Sequence, residues 1–558
     1  MTAIIKTTLA AAIITALSSS FSPAGASADK VYLNGQVWAG GDTTHLAQAI
    51  AIEGERITAI GTTAAIRKLV GPRTRIVELS GAFVTPGFID SHVHFIEGGL
   101  SLDQVDLRQA KTPQAFAALI AQVAARKKPG EWVRYGSWDH ELWGGELPTR
   151  DWIDKDTPDT PVFVTRLDGH MALANSAALK LAGIDEKTPD PAGGTIVRDQ
   201  AGRPTGVLKD LAQDLMTQSI PAESESQLDR ALNLATAHAL SAGITQVHDM
   251  AMGTWRSLET YQRALARNEL RLRIYSFVPL GDGKRMADYV AAHGRGSDWL
   301  RWGALKGYVD GSLGSTTAWF YQPYSDAPQT SGLILGQPDV QRRYIADADR
   351  AGLHVVVHAI GDRANDWLLD TYRSVAAENG PRDRRFRIEH AQHLTQDAIR
   401  RFAQQGVIAS MQPYHAIDDG RWAEKRIGAE RLKGTYAFRS LLDAGAALSF
   451  GSDWTVAPIE PLMGIYAATT RRTIDGANPD GWQPQQKITV EQAVRAYTQA
   501  NAYAGFQEKS LGKIAPGYLA DFVVLSGNLF ETNPLEIPNL KILRTVVGGR
   551  DAFVRPAR

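Results

Sequence analysis

Two histidines separated by one residue, His92 and His94, follow the apolar pair Phe88-Ile89. Residues i and i+2 of an extended strand project from the same face, so both imidazoles can reach one ion. A pair of solvent or core histidines is the plainer alternative, and the Pro86-Gly87 lead-in and Asp90 weigh against it. The chain has no cysteine. A metal would therefore be held by histidine, carboxylate or a modified lysine, and disulfides, thiolate ligands and a cysteine nucleophile are excluded.

Such a site needs rigid strands behind it. Short apolar runs at 243–250, 272–278, 305–310, 353–360, 386–391, 407–412 and 447–453 read as buried strands. Helical spacing separates most of them, as at 340–351, 362–377, 396–405 and 436–444, and precedes them at 112–127 and 223–242. Alternation of this length predicts parallel strands closed into a (β/α)8 TIM barrel over 86–509. Residues 29–85 and 510–558 instead carry short β runs split by turns. They predict a small β-sandwich domain assembled from both chain ends. The stretch 103–206, with Trp132, Trp138, Trp143, Trp152 and several prolines, breaks the alternation and reads as an insertion or lid.

A length of 558 residues suits a large barrel with additions, and 44% apolar with 22% charged residues are those of a soluble globular protein. Basic and acidic residues number 60 each, so nothing favours nucleic acid or an anionic membrane surface as a partner. Residues 1–28 read as a cleavable export signal, with Lys6, an apolar stretch over 9–17 and the small-x-small site Ala26-Ser-Ala28. The apolar stretch is shorter than the ~20 residues a membrane span needs. A periplasmic or secreted protein, with no stable membrane association after cleavage, is the expectation.

The motif Pro86-Gly-Phe-Ile-Asp-Ser-His-Val-His94 resembles the first metal motif of the amidohydrolase superfamily. Further matches follow in order: Lys306 in Leu305-Lys-Gly-Tyr308, His358 after Val355-Val-Val, His390 in Arg387-Ile-Glu-His390, and Asp453 after Phe450-Gly-Ser. With Asp168-Gly-His-Met171 and the closing Gly512-Lys-Ile-Ala-Pro-Gly517, they are similar to the family-3 branch that contains N-substituted formamide deformylase and YtcJ-like proteins. The resemblance implies one or two divalent ions, zinc by preference, held by His92, His94, His358, His390 and Asp453. It also implies an N6-carboxylated Lys306 as a bridging ligand. The residues agree, since barrel active sites gather at the C-terminal ends of strands and imidazole suits zinc. For Lys306 the alternative is an ion pair with Asp310 or another carboxylate, and for Asp453 it is a helix cap.

The resemblance further implies hydrolysis of an amide-type C–N bond in a small molecule, with Asp453 as general base and then as proton donor to the leaving nitrogen. His170, His248, Arg363, Trp319 and Trp454 are candidate substrate contacts, each also explicable as a structural residue or surface pair. Other readings of the same site are a cyclic amide, carbamate or ester hydrolase, or a non-catalytic binding or regulatory protein. The sequence leaves a homodimer open.

Overall fold

A computed structural model describes residues 27–43, 45–102, 104–250 and 254–556. The expected export signal lies outside the described residues, apart from Ser27 and Ala28. Among the described residues no helix is long and apolar enough to cross a membrane.

Eight parallel strands form the central sheet: β1 (Phe88–Val93), β2 (Ile244–Asp249), β3 (Arg273–Pro279), β4 (Leu300–Tyr308), β5 (His354–Ala359), β6 (Arg387–His390), β7 (Ile408–Met411) and β8 (Leu448–Phe450). Each pairs with its predecessor in sequence order. These strands are covered on both faces, which is why they read as apolar runs such as His-Val-Val-Val-His-Ala in β5, buried throughout. Amphipathic helices such as Arg256–Ala266, Pro338–Arg350 and Asp362–Asn379 lie between successive strands.

The sheet closes where β1 meets the segment after β8. Asp453 N–H donates to His92 O at 2.7 Å and His94 N–H to Trp454 O at 2.8 Å. Asp90 Oδ1 accepts from the backbone N–H groups of His92 and Ser452, both at 3.0 Å. The expected TIM barrel is therefore the observed fold. Gly451 sits in this seam, where an added Cβ would lie 2.6 Å from His92 N and 2.9 Å from Asp90 Oδ1. Both neighbours are fixed, so Gly451→Ala must push the seam apart. We expect a loss of about 1–3 kcal/mol, read as a lowered urea midpoint with an unchanged slope.

Two further sheets lie beside the barrel, the first from N-terminal strands alone and the second from strands of both chain ends. One orders Arg56–Gly61, Ala49–Glu53, Lys30–Leu33 and Arg75–Glu78. The other orders Gln36–Val37, Phe83–Pro86, Phe522–Leu525, Ile542–Val547 and Arg550–Val554. Tyr32, Ile50, Ile52 and Val77 of the first share one core with Val84, Phe522, Val524 and Val546 of the second. Tyr32 meets Phe522 edge-to-face at 4.9 Å.

The stretch that broke the alternation carries a sheet of its own. Its order is Gly194–Arg198, Pro204–Asp210, Met171–Ala174, Val162–Arg166 and Val133–Trp138. It continues to Asp210, past the expected end at 206. Trp138 and Trp143 pack with Phe116 in its core.

Candidate metal centre

The C-terminal ends of β1, β4, β5, β6 and β8 bring His92, His94, Lys306, His358, His390 and Asp453 to the wall of one cavity of about 630 Å³. His92 points inward from β1, and its Nδ1–H donates to Glu389 Oε2 at 2.6 Å. That bond leaves Nε2 facing the cavity, 3.4 Å from Asp453 Oδ1 and 3.3 Å from Lys306 Nζ. His94 Nε2 lies 3.2 Å from the same Asp453 oxygen. His390 Nδ1–H donates to Gln412 Oε1 at 2.8 Å, which turns its other ring nitrogen to the site.

Two sets of potential ligands share one carboxylate: His92, His94 and Asp453 form one, and His390, His415 and Asp453 the other. Within each set the ligand atoms lie within 4.8 Å of one another. Asp453 Oδ1, His94 Nδ1 and His415 Nε2 are buried without a well-formed hydrogen bond. Buried polar atoms are ordinarily satisfied, and imidazole with carboxylate is a donor set for a divalent ion. The residues present therefore fit such an ion.

Electrostatics agree with ligation. Burial, and then the positive charge of Lys306, hold the His92 imidazolium far below its ordinary pKa, leaving the neutral ring a ligand needs. Burial pushes the Asp453 carboxyl up, but His94, His415 and Lys306 outweigh it and the net direction is down, so the group is anionic. Burial lowers the Lys306 ammonium to about 8 against the opposing pull of Glu389 and Asp453. Backbone strain also concentrates here. His390, Ala391 and Asp453 hold φ of 71°, 44° and 57°, conformations costly for non-glycine residues and typical of functional sites.

His358 is turned differently. Its Nε2 lies 3.1 Å from Gly311 O and 3.4 Å from Asp310 Oδ1, so Nδ1 is the nitrogen left for the site. Its ring meets that of His390 edge-to-face with centroids 4.5 Å apart, but it belongs to neither compact ligand set. Asp310 is also committed to the backbone N–H groups of Trp319, Ile360 and Gly361 and lies beside His358, while the carboxylates that act on Lys306 are Glu389 and Asp453. The helix after β8 starts at Pro461 with Glu460 in the cap position, so Asp453 caps nothing there.

The sequence matches the model of the Amidohydrolase family over residues 75–553. The chain belongs to the amidohydrolase family. It is 41% identical over 542 residues to Protein LONG AFTER FAR-RED 3 of Arabidopsis thaliana, covering 95% of this chain and 92% of that one. It is 31% identical over 526 residues to N-substituted formamide deformylase of Arthrobacter pascens, covering 90% and 94%. Among solved structures, an uncharacterized metal-dependent hydrolase from Pyrococcus horikoshii superposes with a TM-score of 0.73 at 27% identity, covering 90% of this chain and 99% of that one.

Of the expected substrate contacts in this amidohydrolase, His170 lines the cavity and four do not. His248 is buried in the barrel against Arg387, Tyr275 and Phe277, on the N-terminal side of the site. Trp454 turns outward under the helix Phe95–Ser101, packing on Phe95 and His238. Arg363 is exposed and stacks 4.4 Å over Trp319 on the outer surface of the loops. For Trp454 and Arg363, nearness in sequence to Asp453 and His358 does not bring a side chain into the cavity, because successive residues point in different directions.

The inserted sheet closes the cavity from above and supplies His170, whose Nδ1 lies 2.8 Å from Asp210 Oδ1. Asp168 anchors this segment. It accepts from His170 N at 3.2 Å and pairs with Arg166 at 2.7 Å. Burial pushes the Asp168 carboxyl up, but Arg166 and His170 bring it down to about 2. A depressed carboxyl contributes stability that is present above its unfolded value of about 3.9 and is lost as pH falls through about 2. The contribution is about 2 kcal/mol. Urea unfolding of Asp168→Asn should therefore differ from wild type by that amount near neutrality, and the gap should close between about pH 4 and pH 2.

Sequence reading passed over three groups that complete the centre: Glu389, Arg387 and His415. Glu389 and Arg387 lay inside the His390 motif, but their role depends on a contact 297 residues away. His415 stands four residues beyond the end of β7, where barrel active sites draw residues.

Proposed function

We propose that this amidohydrolase is a metal-dependent hydrolase that cleaves an amide-type C–N bond in a small molecule. The observation that carries the reading is the pair of compact ligand sets sharing Asp453 at the barrel mouth. His92, His94 and Asp453 would hold one divalent ion, zinc by the character of the donors, and His390 borders a second position. An ion bound there supplies electrophilic activation of a carbonyl and lowers the pKa of water towards ~7. Asp453, anionic and strained towards the cavity, takes the proton of the attacking water and returns it to the leaving nitrogen, so that amide and water become acid and amine. His170, steadied by Asp210, faces the substrate from the inserted sheet. Lys306 is buried with its ammonium lowered to about 8; deprotonated, its Nζ would add to carbon dioxide, release a proton to solvent and so offer an anionic oxygen ligand to the metal.

The Arthrobacter pascens relative, named for its action on N-substituted formamides, supports the C–N assignment. The charged start followed by an apolar stretch and small residues supports export to the periplasm or beyond.

The test is metal content and turnover of the purified protein on a panel of N-substituted formamides and acetamides, with cyclic amides, carbamates and esters alongside. We expect bound divalent metal, amide hydrolysis abolished by chelation and restored by zinc. Protein that carries no metal after zinc loading, or hydrolysis untouched by chelation, would sink the reading. Activity confined to esters or carbamates would reassign the bond.

A further inference from the structure

We propose that His415 is a metal ligand of this centre, donating from the loop after β7 to an ion shared with His390 and Asp453. The inference rests on the metal-centre reading above and adds a ligand that none of the strand-end motifs contains.

His415 lies in the first turns of the helix Pro413–Asp419, whose N-cap residue is Gln412. Gln412 Oε1 accepts from His390 Nδ1 at 2.8 Å. Residues three apart lie along one face of a helix, so one turn both orients His390 and presents a second imidazole beside it. The two rings are parallel within 11°, with centroids 6.3 Å apart. His415 Nε2 lies 3.9 Å from Asp453 Oδ2, and His390, His415 and Asp453 offer ligand atoms within 4.8 Å of one another. His415 Nε2 is buried and has no hydrogen-bond partner. Buried imidazole nitrogens ordinarily find a partner, and no protein group supplies one here. The atom is aimed at a carboxylate oxygen on the side away from His92 and His94, which face Oδ1. His358, by comparison, has committed its Nε2 to Gly311 O and Asp310.

The experiment is zinc binding by the full purified protein, measured by competition with a chromophoric chelator, for wild type, His415→Gln and His170→Gln. His170 lines the same cavity outside both ligand sets and serves as the control. We expect His415→Gln to weaken or eliminate one zinc-binding event by more than roughly 100-fold, beyond the range for residues that only support a ligand. His170→Gln should bind as wild type does. His415→Cys, loaded with cobalt, should show a thiolate-to-cobalt charge-transfer band, which arises only if the side chain at this position coordinates. That variant also decides the matter if the glutamine protein does not fold. Wild-type zinc affinity in His415→Gln together with no thiolate band in His415→Cys would overturn the assignment, even if turnover fell, because His415 would then be a substrate contact. A wild-type protein that binds no zinc would instead overturn the metal-centre reading on which the inference rests.

Discussion

Replacing Asp453 by asparagine is expected to lower kcat for amide hydrolysis by roughly 10²–10⁴-fold, the usual contribution of a positioned proton-transfer group. The substitution keeps size and shape but removes the charge that three neighbouring groups stabilise, namely His94, His415 and Lys306. It also removes an anionic ligand from both compact sets at once, so metal affinity should fall with turnover. Steady-state kinetics under zinc-saturating conditions separate the two effects. If kcat recovers when the variant is saturated with zinc, Asp453 holds the ion and another group handles the proton. If kcat stays low with zinc bound, the base assignment stands.

Removal of Arg387 should have the largest effect on stability. Its side chain is fully buried at the base of the site and donates to Glu389 at 2.9 Å, Ser91 O at 2.8 Å, Ser410 Oγ at 3.0 Å and His248 at 3.0 Å. Glu389 is itself completely buried and supports His92. Arg387→Met takes the guanidinium from that buried carboxylate and leaves Lys306 as its remaining cationic neighbour, a change that costs about 3–5 kcal/mol. Removing both charges leaves no such carboxylate. The double variant Arg387→Met, Glu389→Gln should therefore regain a large part of the loss, with a coupling energy of about 1–3 kcal/mol in a double-mutant cycle. Chemical denaturation of the four proteins measures it, and additive losses would show that the pair is not energetically coupled.

The barrel was legible because its strands are covered on both faces and so appear as uninterrupted apolar runs ending in polar residues. The candidate ligands His92 and His94 stood out because they close such a run, while His390 and Asp453 joined them through the motifs that resemble the amidohydrolase family. The inserted sheet was not. Its strand Val133–Trp138 contains Tyr135, Gly136 and Ser137 at φ of 64°, 108° and 53°, so its side chains follow no alternating pattern that a reader could detect. His415 escaped because it belongs to a short helix that begins with proline and has no periodic signature. Trp454 and Arg363 misled for the opposite reason. They follow Asp453 and His358 closely in sequence, and only the turn of the backbone shows them facing outward.

The seam between β1 and the segment after β8 also dictates when the centre can come into being. Asp90 and Ser452, which it joins, lie 362 residues apart in the chain, and His92, His94 and Asp453 stand astride it. During synthesis the histidine pair emerges early, while its carboxylate appears only after every intervening strand has been made. A nascent or truncated chain thus has half a binding site, and closing so long a loop adds an entropic cost that slows assembly. Capture of the ion becomes a report that the ring has closed. On the proposed metal-centre reading, activity is withheld until folding is complete.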